Sequence, residues 1–400
     1  MSDYFNFSSF GTTPFIHSRL GFFFSLIFLF VGLFSIFYAL GQREKRERKV
    51  IWWILIMTLC GMGVAFGNNL LYLFIFWELS TVAVWQLIAF YRDKESLEAA
   101  ELAFLVNFAA STLMLVGIGL VYLANGNFDL SLFVGKNMGL LPGILILSGI
   151  LAKSAIFPFY LWLPSAYQKS PISAIASLAG IGESIGLLVF LKVFVLTFRL
   201  PSDFYTYGAG LGVASSILAG GIALRVKGIR AILAFSTISQ LAFILFGFSL
   251  LTFYGVMGGI LHILAHSLAK PGLFFLTGIW EEENDRNGNR REALPFSFLT
   301  LSLIGLPPFL GFFSKLGIIL GGVERHFLFG VFGVVSALFT LLYFLRLYQM
   351  IFPGDPAVFG RNKETKGGLW AISLLFAFLS LILGLGFLFL VNYLRPEVKI

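Results

Sequence analysis

Residues 151–164 read Leu-Ala-Lys-Ser-Ala-Ile-Phe-Pro-Phe-Tyr-Leu-Trp-Leu-Pro, so Lys153 stands at the end of a long apolar run with Pro158 and Pro164 close behind. A lysine buried in a bilayer costs about 2.5 to 3.5 kcal/mol on insertion scales, which makes an intramembrane lysine a functional candidate. Pro158 has no N–H to donate to the carbonyl of Ser154, and a polar backbone group is freed beside the charge. Such a group is tolerated only in a protein-lined or watered cavity. The reading of the chain turns on whether the remaining residues supply partners for Lys153.

The chain is 58% hydrophobic and 12% charged, with 48 Phe in 400 residues and a mean hydropathy of +0.90. A water-soluble domain is excluded, since such a domain carries roughly a quarter charged residues. The expected class is an all-α polytopic membrane protein. The first apolar run, Leu20 to Leu40, is too long for a signal-peptide core and ends in a charge cluster without a small-residue cleavage site, so it reads as a retained span. The single Cys60 can form no internal disulfide, and the four histidines at 17, 262, 266 and 326 are too scattered for a multi-haem protein. No cofactor or metal site is expected in this chain. The net charge of +8 invites a nucleic-acid reading, but the basic residues sit in short loops between spans, where topology accounts for them.

Apolar stretches of about 17 to 25 residues bounded by charge, Gly or Pro mark about twelve spans. They lie near 18–41, 51–66, 69–90, 102–124, 139–163, 171–198, 204–224, 229–250, 252–278, 295–322, 327–352 and 370–393. The 139–163 and 295–322 segments carry Pro and Gly inside apolar sequence, Pro158 in one and Pro307 and Pro308 in the other, and both read as broken helices. Glu98 and Glu101 are expected in the first turn of their helix, where carboxylates favour the positive end of the dipole.

Lysine and arginine distribution tests this map. With the N-terminus outside, inner loops hold Arg43, Lys45, Arg46, Arg48, Lys49, Arg92, Lys94, Lys169, Arg225, Lys227 and Arg230, then Arg286, Arg290, Arg291, Arg361, Lys363 and Lys366. Outer loops hold Arg19, Lys136, Arg199, Arg325, Arg395 and Lys399. That is 17 against 6, which places both termini outside. Five basic residues fall within spans. Lys192 and Arg346 lie toward helix ends and can snorkel to an interface. Lys153, Lys270 and Lys315 lie near mid-depth or beside a break, and the buried acids are Glu78 and Glu183.

One broken helix occurs in each half. If the five spans over 51–198 correspond to the five over 204–352, an odd number of crossings inverts the second unit, and two inverted five-helix repeats with midplane breaks are the sign of a transporter. Residues 1–50 then form a first helix and basic loop, and 353–400 a loop and final helix. His262, His266 and Lys270 are spaced i, i+4, i+8 and share one stripe of their helix, with Pro271 loosening the next turn. A titratable stripe can pass protons through water, and histidine suits this because its unperturbed pKa lies near neutrality. Helix-to-helix hydrogen bonding is the structural alternative. Metal ligation lacks a second His or Cys cluster to complete a shell.

Six segments together resemble a known family: Phe76-Trp77-Glu78-Leu79, the Lys153 segment with Trp162-Leu163-Pro164, Ser170-Pro171-Ile172-Ser173-Ala174, Ile232 to Gln240, His262 to Lys270, and Gly305 to Lys315. They are similar to the antiporter-like subunits of respiratory complex I, of Mrp-type cation/proton antiporters and of membrane-bound hydrogenase or sulfur-reducing complexes, over about residues 51–352 and in the same order. The resemblance implies two inverted repeats and a hydrated polar axis at the membrane midplane. It implies that Glu78 pairs with Lys153, that His266 and Lys270 lie on the central polar helix, and that Lys315 is the terminal station in the second broken helix. The pair can act as a proton switch or as a static ion pair. Where many members carry histidine and lysine after the first broken helix, this chain has Ser177 and Glu183. Water held by Ser177 can bridge there, or Glu183 can pair with Lys153 or His266. The family's lateral connecting helix is not expected after the last span.

The resulting expectation is a non-catalytic, multi-pass subunit in a prokaryotic plasma membrane that moves H⁺, or exchanges it with Na⁺, inside a larger respiratory or Mrp-type complex. Its site residues are Glu78, Lys153, Glu183, His262, His266, Lys270 and Lys315. Partner membrane subunits supply the energy, and iron-sulfur or nickel-iron centres would sit in them rather than here. The alternative is a structural membrane subunit of the same kind of complex that has lost conduction.

Overall fold

The computed structural model describes residues 15–42, 47–282, 290–352 and 369–398. Arg43, Lys45, Arg46, Arg286, Arg361, Lys363, Lys366 and Lys399 lie outside them. The described chain is helical, without strands and with three isolated β-bridges. The helices are α1 Arg19–Gln42, α2 Glu47–Phe66, α3 Leu70–Ile88, α4 Lys94–Asn125, α5 Leu140–Lys153, α6 Trp162–Lys169, α7 Ile172–Ser177, α8 Ser184–Phe190 and α9 Ser202–Ala223. They continue with α10 Ile229–Ser249, α11 Phe253–Glu282, α12 Arg290–Ile304, α13 Leu310–Arg325, α14 Phe327–Ile351, α15 Trp370–Leu385 and α16 Phe387–Leu394.

Nine helical segments among the described residues are long and apolar enough to cross a membrane, or ten if the pair α15 and α16, bent by 70° at Gly386, is one span. Twelve uninterrupted spans are therefore not what the chain builds. The two missing ones are the expected broken helices, each present as two shorter pieces: α5 and α6 around 154–161, and α12 and α13 around 305–309. Pro158 lies five residues beyond the end of α5, so the helix stops before the proline can act on it. The turn is made at Ala155, whose φ is 49°, and at Gly305 (φ 89°) in the other break.

Local chemistry explains two further boundaries. Asn69 caps α3 by accepting from Leu71 N and Tyr72 N, and Asp93 caps α4 by accepting from Ser96 N at 2.7 Å. The Asp93 cap starts α4 eight residues before the expected apolar boundary. Glu98 and Glu101 accordingly lie beyond the first turn, which holds Glu95 instead.

Lipid selects which helices sit inside. The most apolar stretches of the spans Ile172–Val195 and Phe253–Glu281 are wholly buried, whereas only 33% of the corresponding Phe327–Ile351 stretch is. The first of these spans is not regular: α7 and α8 are joined by a π-turn at Leu178–Gly182, and a second π-turn covers Leu191–Val195. Single π-turns inside α-helices often accompany functional sites. Helix α11 crosses α13 through glycine, where a Cβ on Gly258 would meet Ile318 N at 2.6 Å and one on Gly321 would meet Gly255 Cα at 2.7 Å. Small residues let two membrane helices approach this closely.

Candidate functional site

Lys153 ends α5 and is 3% exposed. Its Nζ donates to Ser80 Oγ (2.7 Å), Thr81 Oγ1 (2.8 Å) and Trp77 O (3.4 Å), and lies 5.4 Å from the Trp77 ring centroid. All four contacts come from α3. The expected pairing with Glu78 is absent: no ion pair joins the two among the described residues. Helical phase gives the reason. Residues 77, 80 and 81 share a stripe facing α5, while residue 78 is turned about 100° from residue 77. Glu78 is half-buried with Oε1 unpartnered and reaches Lys153 only through space.

Glu183 follows the first π-turn and is fully buried. It pairs with neither Lys153 nor His266; its partner is Tyr167 of α6, whose hydroxyl lies 2.8 and 2.9 Å from the two carboxylate oxygens. Ser154, next to Lys153, donates to the backbone carbonyl of Glu183 (3.2 Å). A cavity of about 10 Å³ lined by Thr81, Asn107, Lys153 and Glu183 joins the two side chains. That is close to the space one water needs, ~10–15 Å³. The Ser177 hydroxyl is turned back onto its own helix, donating to Ala174 O (2.9 Å).

The stripe on α11 is intact. His262 is bridged on both ring nitrogens, Nδ1 to Ser314 Oγ and Nε2 to Gln240 Oε1, each at 2.8 Å. Gln240 Nε2 continues to Tyr343 OH (2.5 Å) and Thr340 Oγ1 (3.1 Å). His266, fully buried, has no hydrogen-bond partner on either nitrogen. Lys270 donates to Leu233 O (2.9 Å) and to Ser236 Oγ, and lies within electrostatic reach of Glu183. Ser267 ties this helix to the π-turn by donating to Gly180 O (2.7 Å). Lys315 of α13 is 4% exposed, its Nζ 5.7 Å from the Phe243 ring, which also packs against the His262 ring.

The Lys192 expectation changes, and Arg346 gains a backbone partner. Lys192 does not snorkel: it is buried in the second π-turn and donates to Val64 O (3.0 Å), Ala65 O (2.8 Å) and Gly67 O (2.5 Å), capping the C-terminus of α2. Arg346, half-buried, donates to Ala223 O (3.0 Å) at the C-terminus of α9. Both cations meet the negative end of a helix dipole.

A family model described as NADH:quinone oxidoreductase/Mrp antiporter, transmembrane, matches residues 67–340. The chain belongs to this antiporter family. Among its relatives, NADH-quinone oxidoreductase subunit N of Desulforudis audaxviator is 31% identical over 350 residues, covering 80% of this chain and 69% of the relative. The Mrp complex from a Dietzia species contains a chain of the same fold at TM-score 0.87 and 22% identity, over 96% of this chain and 84% of that one. A chain of an archaeal membrane-bound sulfane sulfur reductase matches at TM-score 0.86, also at 22% identity, over 96% and 83%. As an antiporter-family member the chain is a multi-pass subunit of the kind found in complex I and Mrp-type assemblies. Among the described residues, no group of three or more His, Cys, Asp or Glu side chains could hold a metal.

Sequence reading missed Tyr167, Ser80, Thr81, Gln240 and Tyr343. Gln240 was within reach, since it closes the 232–240 segment on a helix that faces His262. Ser80 and Thr81 share the Trp77 stripe. Tyr167 carries no local signal, because its partner is 16 residues away across the turn between α6 and α7.

Proposed function

We propose that this chain carries H⁺, alone or in exchange for Na⁺, along a buried row from Lys153 through Glu183, Lys270, His266 and His262 to Lys315, with Glu78 acting on Lys153 through space. The observation that supports it is the set of buried Lys153, Glu183, His262, His266, Lys270 and Lys315 side chains, with both nitrogens of His266 left without a protein partner. Buried ionisable groups are costly in a membrane, and unpartnered ones need water. That cost counts against a spacer role. The spans over 51–198 and 204–352 act as inverted repeats. Supporting this, Lys192 in the fifth span of the first unit caps its first span, and Arg346 in the fifth span of the second unit caps its first.

The chain works inside a prokaryotic plasma membrane with both termini outside, among membrane subunits that couple it to a driving reaction or gradient. Iron-sulfur or nickel-iron centres belong to such partners. The test replaces Lys153 and, separately, Lys315 with Ala in the assembled complex and measures gradient formation in vesicles. Loss of the gradient with intact assembly supports the row. An unchanged gradient refutes it.

A further inference from the structure

Tyr167 and Glu183 make the only direct hydrogen bond between two ionisable side chains of this row among the described residues. Both are fully buried, so neither needs the other at a surface. The phenol sits on α6, the short helix after the first break, and the end of that helix is clamped from α10. Arg230 donates to the carbonyls of Tyr167 (3.1 Å), Gln168 (3.3 Å) and Ser170 (2.9 Å). It is held in turn by Glu281 of α11 through two bonds of 2.7 and 2.5 Å. A surface cleft of about 780 Å³, lined by Gln168, Lys227, Arg230, Trp280 and Glu281, opens beside this clamp. Beyond the phenol, the buried Thr237 hydroxyl stands within hydrogen-bond reach of Tyr167 and meets no other partner.

We infer that Tyr167 is a proton-carrying hydroxyl of this path, linking the Lys153 end of the row, through Glu183, to the Lys270 end. The inference rests on the proposed proton row and adds a residue to it. A carboxylate reached through a phenol and a cavity of about 10 Å³ passes a proton by exchange of O–H bonds.

The step balances within the side chains. A proton arriving on Glu183 from the cavity beside Lys153 moves to the Tyr167 oxygen, while the phenol O–H turns to Thr237 and gives its proton to that hydroxyl oxygen, and Thr237 releases its own hydroxyl proton to a water molecule on the Lys270 side. One O–H bond forms at Tyr167 as another breaks, and no charge stays on the phenol. The charged and titratable groups around the pair are Lys270 on α11, Lys153 across the cavity, and Arg230 at the backbone of α6. Arg230 is thus a positioning residue: it holds the backbone that sets where the phenol points.

The test uses the assembled complex in vesicles, with H⁺ flux followed by a pH dye in the unsubstituted protein and in Lys153→Ala, Tyr167→Phe and Glu183→Gln. Tyr167→Phe is expected to assemble and to lose flux on the order of 10²-fold, the lower end of what a positioned proton-transfer group contributes. Full flux in Tyr167→Phe beside a dead Lys153→Ala overturns the role of Tyr167 and leaves the row standing. Full flux in Lys153→Ala overturns the row and this inference with it. Should Tyr167→Phe fail to assemble, trifluorotyrosine at position 167 keeps the ring and hydroxyl while making the phenol more acidic. It is expected to move the pH profile of flux toward lower pH, and an unmoved profile overturns the proposal.

Discussion

Replacing Lys192 with Met separates a lysine that holds the fold from the lysines of the row. The ammonium donates to the carbonyls of Val64, Ala65 and Gly67 at 3.0, 2.8 and 2.5 Å, and helix termini leave such carbonyls without intrahelical partners. Interhelical hydrogen bonds in membranes average ~0.6 kcal/mol, so three give about 2 kcal/mol. Bonds to a charged group are stronger, about 1.5 kcal/mol each at the low end, which raises the figure to roughly 4.5 kcal/mol. Relief of the buried ammonium offsets part of this, and the net expectation is a loss of about 2–3 kcal/mol. Methionine keeps the length of the stem, so little of the change comes from packing. The assay is thermal or denaturant unfolding of the purified complex in bicelles, paired with H⁺ flux per assembled complex. Stability should fall while flux per complex holds. If flux collapses and stability does not move, Lys192 belongs to the path and the capping argument is wrong.

Three further predictions follow from single sites. Gly305→Ala places a side chain at φ 89° with its Cβ 2.9 Å from Lys315 Cδ; it should cost about 1–2 kcal/mol and displace the Lys315 stem, seen as lower melting and reduced flux together. His266→Leu removes two buried nitrogens that no protein group satisfies, so melting should hold or rise while flux falls; a clear drop in melting would reveal a hidden structural partner. Asp93 at the start of α4 has its carboxyl held below its ordinary value of 3.8, first by the Ser96 backbone N–H. A depressed carboxyl stabilises above its unfolded value and loses that contribution as pH falls through the folded one, so the melting difference between the protein and Asp93→Asn should shrink on acidification below about pH 4.

The sequence made visible what depends on one-dimensional spacing. The two interrupted spans followed from proline and glycine inside apolar runs, and the His262, His266 and Lys270 stripe from a spacing of four on a helix. What escaped it depends on how helices are rotated and packed. Glu78 was the attractive partner for Lys153 by charge, yet helical phase gives the contact to Ser80 and Thr81, hydroxyls that look unremarkable in sequence. Lys192 near a helix end reads as a snorkelling residue until the end of α2 is placed beside it. The start of α4 was set by the Asp93 cap rather than by hydropathy, because capped charged turns can extend a helix past the apolar window.

The pinned cations at Lys192 and Arg346 also bear on membrane voltage. A potential of 100 mV does about 2.3 kcal/mol of work on each elementary charge carried fully across. Charges fixed to backbone carbonyls cannot travel and draw no work from the field. Any electrical energy the protein stores or spends must therefore pass through the groups that are free to shift, the protons of the row and the ends of the two interrupted helices.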